Sequence, residues 1–142
     1  MEPSVELAPG TESNAFADML AQLVRQNLDD HPEKKATLLR MRGRVAIVID
    51  DLGLAVTLLF EEGRMRVHDG IFGVPDATLR TTSDYVMKMS LVELEPRTGL
   101  PDPRGEVARE VWAASQRGEI RVLGLLTSLG LLVRLTRVMS VH

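Results

Sequence analysis

The sequence contains no cysteine, and this absence excludes disulfide bonds, cysteine-based zinc sites and thiol catalysis. Aromatic residues are also scarce, at 4% of the chain, and histidine occurs three times. The chain has no His-x-x-x-His spacing for a metal, no Gly-x-Ser-x-Gly nucleophile turn and no phosphate-binding loop. We therefore expect a protein that is not an enzyme, with no catalytic residues, no metal site and no cofactor.

The chain has neither a long run of one charge nor a long apolar run. Its formal net charge is −3, which argues against a nucleic-acid partner. The most apolar stretch, residues 122–133, is too short to span a bilayer, which takes about 20 residues. The first residues are acidic and lack the basic region and apolar core of a secretory signal. Together these absences predict a cytoplasmic protein.

The overall composition is that of an ordinary globular domain. The chain has 142 residues, of which 44% are hydrophobic and 26% charged, enough for one domain with a proper core. Residues 1–12 contain Pro3, Pro9 and Gly10 and little to bury, so we expect a flexible N-terminal lead. Residues 13–142 are then predicted to form a single domain.

Residues 43–66 carry the strongest pattern in the chain. Two apolar runs, 45–49 and 54–60, flank an Asp- and Gly-containing turn, and a third run follows the turn at 61–63. Short β-rich runs separated by such turns indicate an antiparallel meander. We therefore predict consecutive, antiparallel strands near 44–50, 54–61 and 64–68.

The meander strands are apolar on both faces. In a sheet with one solvated face, apolar and polar residues would alternate along each strand. Ala46, Val48 and Leu59 alternate with the residues that form the main apolar face. Something apolar must therefore cover this second face, and the sequence leaves open whether it is a helix, a partner chain or a ligand.

A helix is predicted before the meander, with Ser13 or Asn14 as its N-cap and a break at 29–32. Its apolar stripe has the spacing of one helical face and comprises Phe16, Met19, Leu20, Leu23 and Val24. The remaining predicted elements are helices at 33–41, 83–93, 106–117 and 125–139, and strands at 77–82 and 119–123.

The order of these units resembles the sterol carrier protein type-two family. Three passages carry the resemblance: the meander at 43–67, a strand leading into a helix at 75–83, and the segment 118–124 followed by a leucine-rich helix. The resemblance implies an α+β fold, with a five-stranded, mostly antiparallel sheet covered on one face by helices. It also implies an apolar cavity between the sheet and the helices that takes a lipid or acyl chain.

The sequence departs from the family pattern at three places. Gly124-Leu125 stands where many members have Gly-Asp, and the loop at 95–105 is longer and richer in proline than in compact members. The residues at 140–142 do not resemble the peroxisomal tripeptide of some members. The first two departures lie where the resemblance puts the mouth of the cavity, so the nature of the ligand stays open.

The closing helix supplies the main candidates for a cavity wall, facing the first helix. The alternative is ordinary core packing, because core and cavity walls have the same apolar pattern. Trp112 is a further candidate at the mouth, against the alternative of a half-buried core tryptophan. The predicted ligand-binding residues are Leu20, Leu23, Val24, Met87, Val111, Trp112, Leu125, Leu126, Leu129, Leu132 and Val133.

The polar candidates for function are weaker. His68 and Asp69 could form an acid–base pair, but adjacent strand residues point to opposite faces, which favours a strand end. The paired acids at 50–51 and 61–62 suit solvated turns. A basic strip on the outer sheet face could meet lipid headgroups or simply be solvated; it comprises Arg64, Arg66, Arg80 and Arg121.

We therefore predict a non-catalytic protein that binds or carries a lipid or another elongated apolar molecule in an internal hydrophobic cavity. The alternative is a dimerisation or scaffold module whose core is filled by side chains. A lipid or apolar small molecule is the predicted partner. A transient contact with a membrane surface and a homodimer are left open by the sequence.

Overall fold

A mixed six-stranded sheet is the centre of the fold in the computed structural model, which describes residues 2–95, 98, 100–124 and 126–142. Five helices accompany the sheet within this part of the chain. The strands are β1 (Ser4–Leu7), β2 (Gly43–Ile49), β3 (Leu54–Glu61), β4 (Arg64–Asp69), β5 (Ala77–Thr81) and β6 (Arg121–Leu123). The helices are α1 (Ala15–Asp30), α2 (Lys34–Leu39), α3 (Ser83–Met89), α4 (Glu106–Gln116) and α5 (Leu129–Met139).

The strands lie in the order β1-β4-β3-β2-β5-β6. The predicted meander is confirmed: β2 pairs with β3 and β3 with β4, both antiparallel, with Ile47 opposite Val56 and Phe60 opposite Met65. β5 joins the other edge of β2 in parallel, and β6 pairs with β5 in antiparallel orientation. The α+β class is therefore confirmed, although the sheet is mixed and has one strand more than expected.

The additional strand comes from the segment that we expected to be a flexible lead. Ser4–Leu7 forms β1, which pairs in parallel with the free edge of β4. Val5 is buried opposite Met65, and its carbonyl accepts a 2.8 Å hydrogen bond from Nη2 of Arg25. The expectation was wrong for these residues because β4 would otherwise leave an edge of unpaired backbone groups, which a short strand satisfies.

α1 packs its apolar stripe on the inner face of the sheet. Asn14 is the N-cap, and its Oδ1 accepts from the backbone N–H of Ala17 at 3.1 Å. The same face of the sheet carries the buried strand residues of β2, β3 and β4. The resulting core contains Phe16, Leu20, Val24, Leu38, Val45, Ile47, Ile49, Val56, Leu58, Phe60, Met65 and Val67, together with Leu131, Leu135 and Val138 of α5.

Two helices, α3 and α5, are each four residues shorter than predicted. α3 ends at Met89 rather than at 93, where the hydroxyl of Ser90 turns back to the carbonyl oxygen of Met87 at 2.7 Å. α5 begins at Leu129 rather than at 125, because residues 126–128 form a turn. No helix in the described part of the chain has both the length and the apolar character needed to cross a membrane.

The outer face of the sheet is covered in part by the β4–β5 loop of the same chain. The backbone N–H of Phe72 donates to Oγ1 of Thr57 at 2.9 Å, and its ring stacks on His68 with the ring centroids 4.0 Å apart. The Arg44 guanidinium lies 5.7 Å from the Phe72 ring centroid. Thr57 is completely buried, as is Ala46 opposite it. The loop of the same chain thus covers the part of the second apolar face around Thr57 and His68.

Candidate ligand pocket

An apolar pocket of about 340 Å³ lies between the inner face of the sheet and α3, α4 and α5. This volume is near the lower end of the range of about 300–1,000 Å³ for small-molecule sites. The pocket is partly open to solvent at Trp112 and Leu129. It is lined by Ile47, Leu79, Val86, Met89, Val92, Pro101, Ala108, Val111, Trp112, Ser115, Ile120, Val122, Leu129, Leu132, Val133, Leu135, Thr136 and Met139.

α4 forms one wall with one face of the helix. Ala108, Val111, Trp112 and Ser115 recur at the three- and four-residue spacing that places side chains on the same side. Three of these side chains are small. Because a packed core fills its space with few voids, short side chains facing the sheet leave a volume that α4 itself does not fill.

α5 divides its wide apolar surface between the core and the pocket. Leu131 and Val138 are buried in the core, whereas Leu129, Leu132 and Val133 line the pocket. The two sets of residues form neighbouring stripes on the helix. The second apolar stripe of α5 therefore has unfilled space in front of it rather than packed side chains.

Polar contacts at the rim hold the walls of the pocket together. A carboxylate oxygen of Glu93, after α3, accepts from the backbone N–H of Val107 at 3.1 Å and so caps the start of α4. Lys88 of α3 lies 3.1 Å from Glu110 of α4. The hydrogen bond to Glu110, reinforced by its charge, raises the pKa of Lys88. These contacts join α3, and the residues directly after it, to α4.

The interior of the pocket is electrically neutral. No charged side chain of the described residues lines it, and its polar members are the hydroxyl residues Ser115 and Thr136. Oγ1 of Thr136 donates to the carbonyl oxygen of Leu132 at 3.0 Å, within the helix. Burying an ion without a partner is strongly unfavourable. The pocket is therefore suited to an uncharged apolar body.

Five of the residues predicted to bind ligand lie together around this pocket: Val111, Trp112, Leu129, Leu132 and Val133. Trp112 is 67% exposed at the rim and is not a half-buried core residue. Ligand binding by these five residues stays a prediction, although their common location is now established.

The three residues predicted on α1 lie elsewhere. Leu20 and Val24 are fully buried in the core, and Leu23 packs against it, so none of them lines the pocket. The physical reason is position: α1 packs on β1, β3 and β4, whereas the pocket lies toward β5 and β6. Their predicted place in the cavity wall was wrong.

The other predicted positions are also outside the pocket wall. Met87 is 54% exposed and points away, while Met89 on the same short helix lines the pocket. Leu126 is 94% exposed in the turn before α5. Leu125 lies outside the described residues, as do Pro96 and Gly99 of the predicted mouth loop. Of that loop, Pro101 lines the pocket.

Sequence reasoning missed the whole wall formed by the sheet, and some residues of α3, α4 and α5. The spacing of Ala108 and Ser115 with Val111 and Trp112 could have identified the α4 face, but small residues gave no strong apolar signal. The strand and loop residues carried no signal that separates a pocket wall from a core. The residues missed are Ile47, Leu79, Val86, Met89, Val92, Pro101, Ala108, Ser115, Ile120, Val122, Leu135, Thr136 and Met139.

His68 and Asp69 do not form an acid–base pair. The His68 ring stacks on Phe72, while the Asp69 carboxylate accepts from Nδ2 of Asn14 at 2.7 Å. Burial, together with the positive charges of Arg66 and Arg44, lowers the pKa of His68. Within the described ranges, no cluster of His, Asp or Glu side chains is arranged to hold a metal ion.

Comparison with protein-family models matches residues 20–104 to a family described as the SCP-2 sterol transfer family. A search of curated protein sequences found no match. Among solved structures, the chain resembles a protein described as "UbiJ-SCP2 Ubiquinone synthesis protein", with a TM-score of 0.61 and 17% identity over 88% of this chain and 96% of that chain.

Two further solved structures match most of the length of the chain. One is a crystal structure of sterol carrier protein 2, with a TM-score of 0.50 and 15% identity over 87% of this chain and 92% of the other. The apo form of sterol carrier protein 2 from Yarrowia lipolytica has a TM-score of 0.49 and 13% identity, with 94% of each chain covered. At these identities the first two likenesses establish a shared fold.

Proposed function

The chain belongs to the SCP-2 sterol transfer family, and from that premise we propose that it carries a lipid or another elongated apolar molecule in the pocket between α3, α4 and α5. The family match also confirms the resemblance predicted from the sequence. One observation carries the assignment to this pocket: its lining is apolar except for two hydroxyl side chains, and its space is not filled.

Burial of apolar surface would supply the binding energy. Each square ångström of apolar ligand surface removed from water contributes about 25 cal/mol. The pocket is small, so an elongated molecule would place one end inside and extend past the rim at Leu129 and Trp112. A polar head group on such a ligand would remain in water at the rim.

The role that we propose is non-catalytic. The proposed carriage needs no chemical step, and the polar side chains among the described lining residues are hydroxyl groups rather than an acid–base pair. The alternative of a scaffold module with a filled core is not favoured, because the space in front of α5 is unfilled. The outer sheet face, which had suggested a partner chain, is partly covered by the chain's own loop.

Native mass spectrometry of the delipidated protein with defined ligands tests this proposal. We expect a 1:1 complex with a long-chain alcohol and its loss in the Leu129→Arg variant, which would place a charge in the pocket wall. Met87→Arg is the matched control, because Met87 has the same exposed fraction of 54% on another helix and does not line the pocket. If both variants form the complex with the alcohol to the same extent, binding at this pocket is refuted.

A pair of ligands that differ in charge tests the neutral interior. The ionised fatty acid with the same chain length should bind no more tightly than the alcohol, because its carboxylate stays in water at the rim and no described lining residue can pair with it. A ubiquinone analogue belongs in the same panel, since one structural neighbour is described as a ubiquinone synthesis protein. Tighter binding of the ionised acid than of the alcohol would contradict a neutral pocket.

A further inference from the structure

Three arginines surround a shallow cleft at the corner where α2 ends and α5 begins. Arg40, Arg42 and Arg134 line this cleft, hereafter the arginine cleft, together with the turn before α5. No hydrogen bond or ion pair joins their guanidinium groups to another residue in the described part of the chain. One acid, Asp76, also lines the cleft, and its Oδ2 accepts from the backbone N–H of Arg44 at 2.8 Å.

The basic strip predicted on the outer sheet face is different, because most of its charge is compensated. The strand register does place Arg64, Arg66, Arg80 and Arg121 on that face. However, Arg64 lies 3.9 Å from Glu62, Arg66 3.4 Å from Glu6, and Arg80 2.9 Å from Asp50. In a chain of net charge −3, the arginine cleft is thus a local excess of positive charge, because three arginines line it with one acid.

Exposed apolar side chains adjoin the arginine cleft. Ser128 and Gly130 line the cleft, while Leu129 between them lines the apolar pocket, so the two sites meet across the first turn of α5. Leu126, in the turn before this helix, is 94% exposed. Trp112 is exposed at the rim of the same pocket. Large apolar side chains that face water beside a charged cleft are typical of an interaction surface.

We propose that this corner docks on a membrane surface that contains anionic lipids. The cleft arginines would meet the lipid phosphates, and Leu126 would enter the interfacial region. Trp112 would lie at the level of the headgroups, which tryptophan prefers. This orientation turns the rim of the pocket toward the bilayer, so that a ligand can pass between them. The docking does not require an occupied pocket.

Vesicle sedimentation tests the charge requirement with the full chain. We expect binding to vesicles of phosphatidylcholine with phosphatidylglycerol, little binding to phosphatidylcholine alone, and a decrease as salt is raised. Replacing Arg40, Arg42 and Arg134 together by Gln should weaken binding by about five-fold for each arginine removed. Equal binding to neutral and anionic vesicles would overturn the proposal.

A second triple variant controls for net charge. Arg64→Gln, Arg80→Gln and Arg121→Gln remove the same charge from the outer sheet face, and vesicle binding should change much less than in the cleft variant. An equal loss in both variants would mean that general charge, and not the cleft, causes binding. The cleft variant should still bind a long-chain alcohol in solution, so failure of docking is distinguishable from failure of the proposed pocket.

Two measurements test the apolar part of the surface. Brominated phosphatidylcholine in anionic vesicles should quench Trp112, the only tryptophan in the chain, and Leu126→Asp should weaken binding without unfolding the protein because the side chain is exposed. Unquenched emission from vesicle-bound protein would overturn this orientation. Light scattering measures whether the protein forms a dimer in solution. A dimer that the Leu126→Asp variant no longer forms would show that this surface binds a second copy, and would overturn the membrane proposal.

Discussion

The two ends of the helix layer fill the space above the sheet to different degrees. At one end, α1 buries Phe16, Leu20 and Val24 in a continuous core with β3 and β4. At the other, α3 buries Val86 and α4 buries Ala114, while Met89, Val111 and Trp112 line the pocket. One sheet thus supports both a packed core and an unfilled pocket.

The polar contacts at the two ends of the helix layer also differ, because they are buried at one end and solvated at the other. At the packed end, Nδ2 of buried Asn27 donates to the carbonyl oxygen of Val138 at 2.9 Å, and Nζ of Lys34 donates to that of Ser140. Burial lowers the pKa of Lys34. At the pocket end, Lys88 and Glu110 form their ion pair in contact with solvent. Buried contacts lock α1 and α2 to α5, whereas solvated contacts hold α3 and α4.

The largest expected difference is in stability. Leu20→Ala at the packed end should lower the free energy of unfolding by about 2–5 kcal/mol, because it opens a cavity in a closed core. Leu129→Ala at the pocket end should lower it by less than about 1 kcal/mol, since that side chain is about half exposed, yet weaken ligand binding. Urea denaturation measures the first effect and probe titration the second. Similar losses of stability in the two variants would contradict the distinction between a packed end and a pocket end.

An intermediate loss of stability is expected for a change at the junction of α3 and α4. Glu93→Ala removes the carboxylate that caps α4 and should cost about 1 kcal/mol of stability. Ligand affinity should also fall, because the α4 wall loses its attachment. Glu110→Ala is the control, since an exposed ion pair contributes about 0–1 kcal/mol. An unchanged affinity in Glu93→Ala would show that this cap does not position the wall.

A smaller effect separates two methionines of one helix. Met89→Ala should weaken binding of an apolar probe by about fourfold for each methylene-sized group whose contact with the probe is lost, because each buried methylene contributes ~0.8 kcal/mol. Met87→Ala should leave binding unchanged, because that side chain does not line the pocket. Isothermal titration with both variants is the measurement. Equal weakening would place the ligand on the outer side of α3.

The smallest effect concerns pH and the outer face. The pKa of His68 is lowered in the folded protein, chiefly by burial, so the unfolded chain binds the proton more readily. Stability should therefore be fully present above a pH of about 6.5 and should decline as pH falls toward the lowered pKa. His68→Gln should reduce that decline. Binding of an uncharged probe to the folded protein should stay constant, since no titratable group lines the pocket among the described residues.

Much of the fold was predictable because its signals are local. The turns at 50–53 and 61–63 set the meander, and Asn14 marked the start of α1. β1 could not be predicted from a local signal. It is a short run next to Pro3, and the strand with which it pairs, β4, lies far along the chain. A parallel pairing of this kind leaves no turn in the sequence.

The pocket was predictable only in part, because its wall depends on what side chains fail to fill. Leu20 and Leu129 belong to similar apolar stripes, yet one lies in the core and the other at the pocket rim. The difference follows from where each helix sits on the sheet. Ala108 and Ser115 contribute to the pocket because their side chains are small. A search for large apolar residues does not detect such positions.

Trp112 emission, titrated with a long-chain alcohol, tests the central claim most directly. The tryptophan lines the pocket, is 67% exposed and is the only one in the chain. An apolar ligand that enters the pocket should exclude water from its ring and shift the emission to shorter wavelength, with saturation at one ligand per chain. The shift should be absent in Leu129→Arg. Independently demonstrated binding with unmoved emission would contradict the account, as would the same shift in the variant.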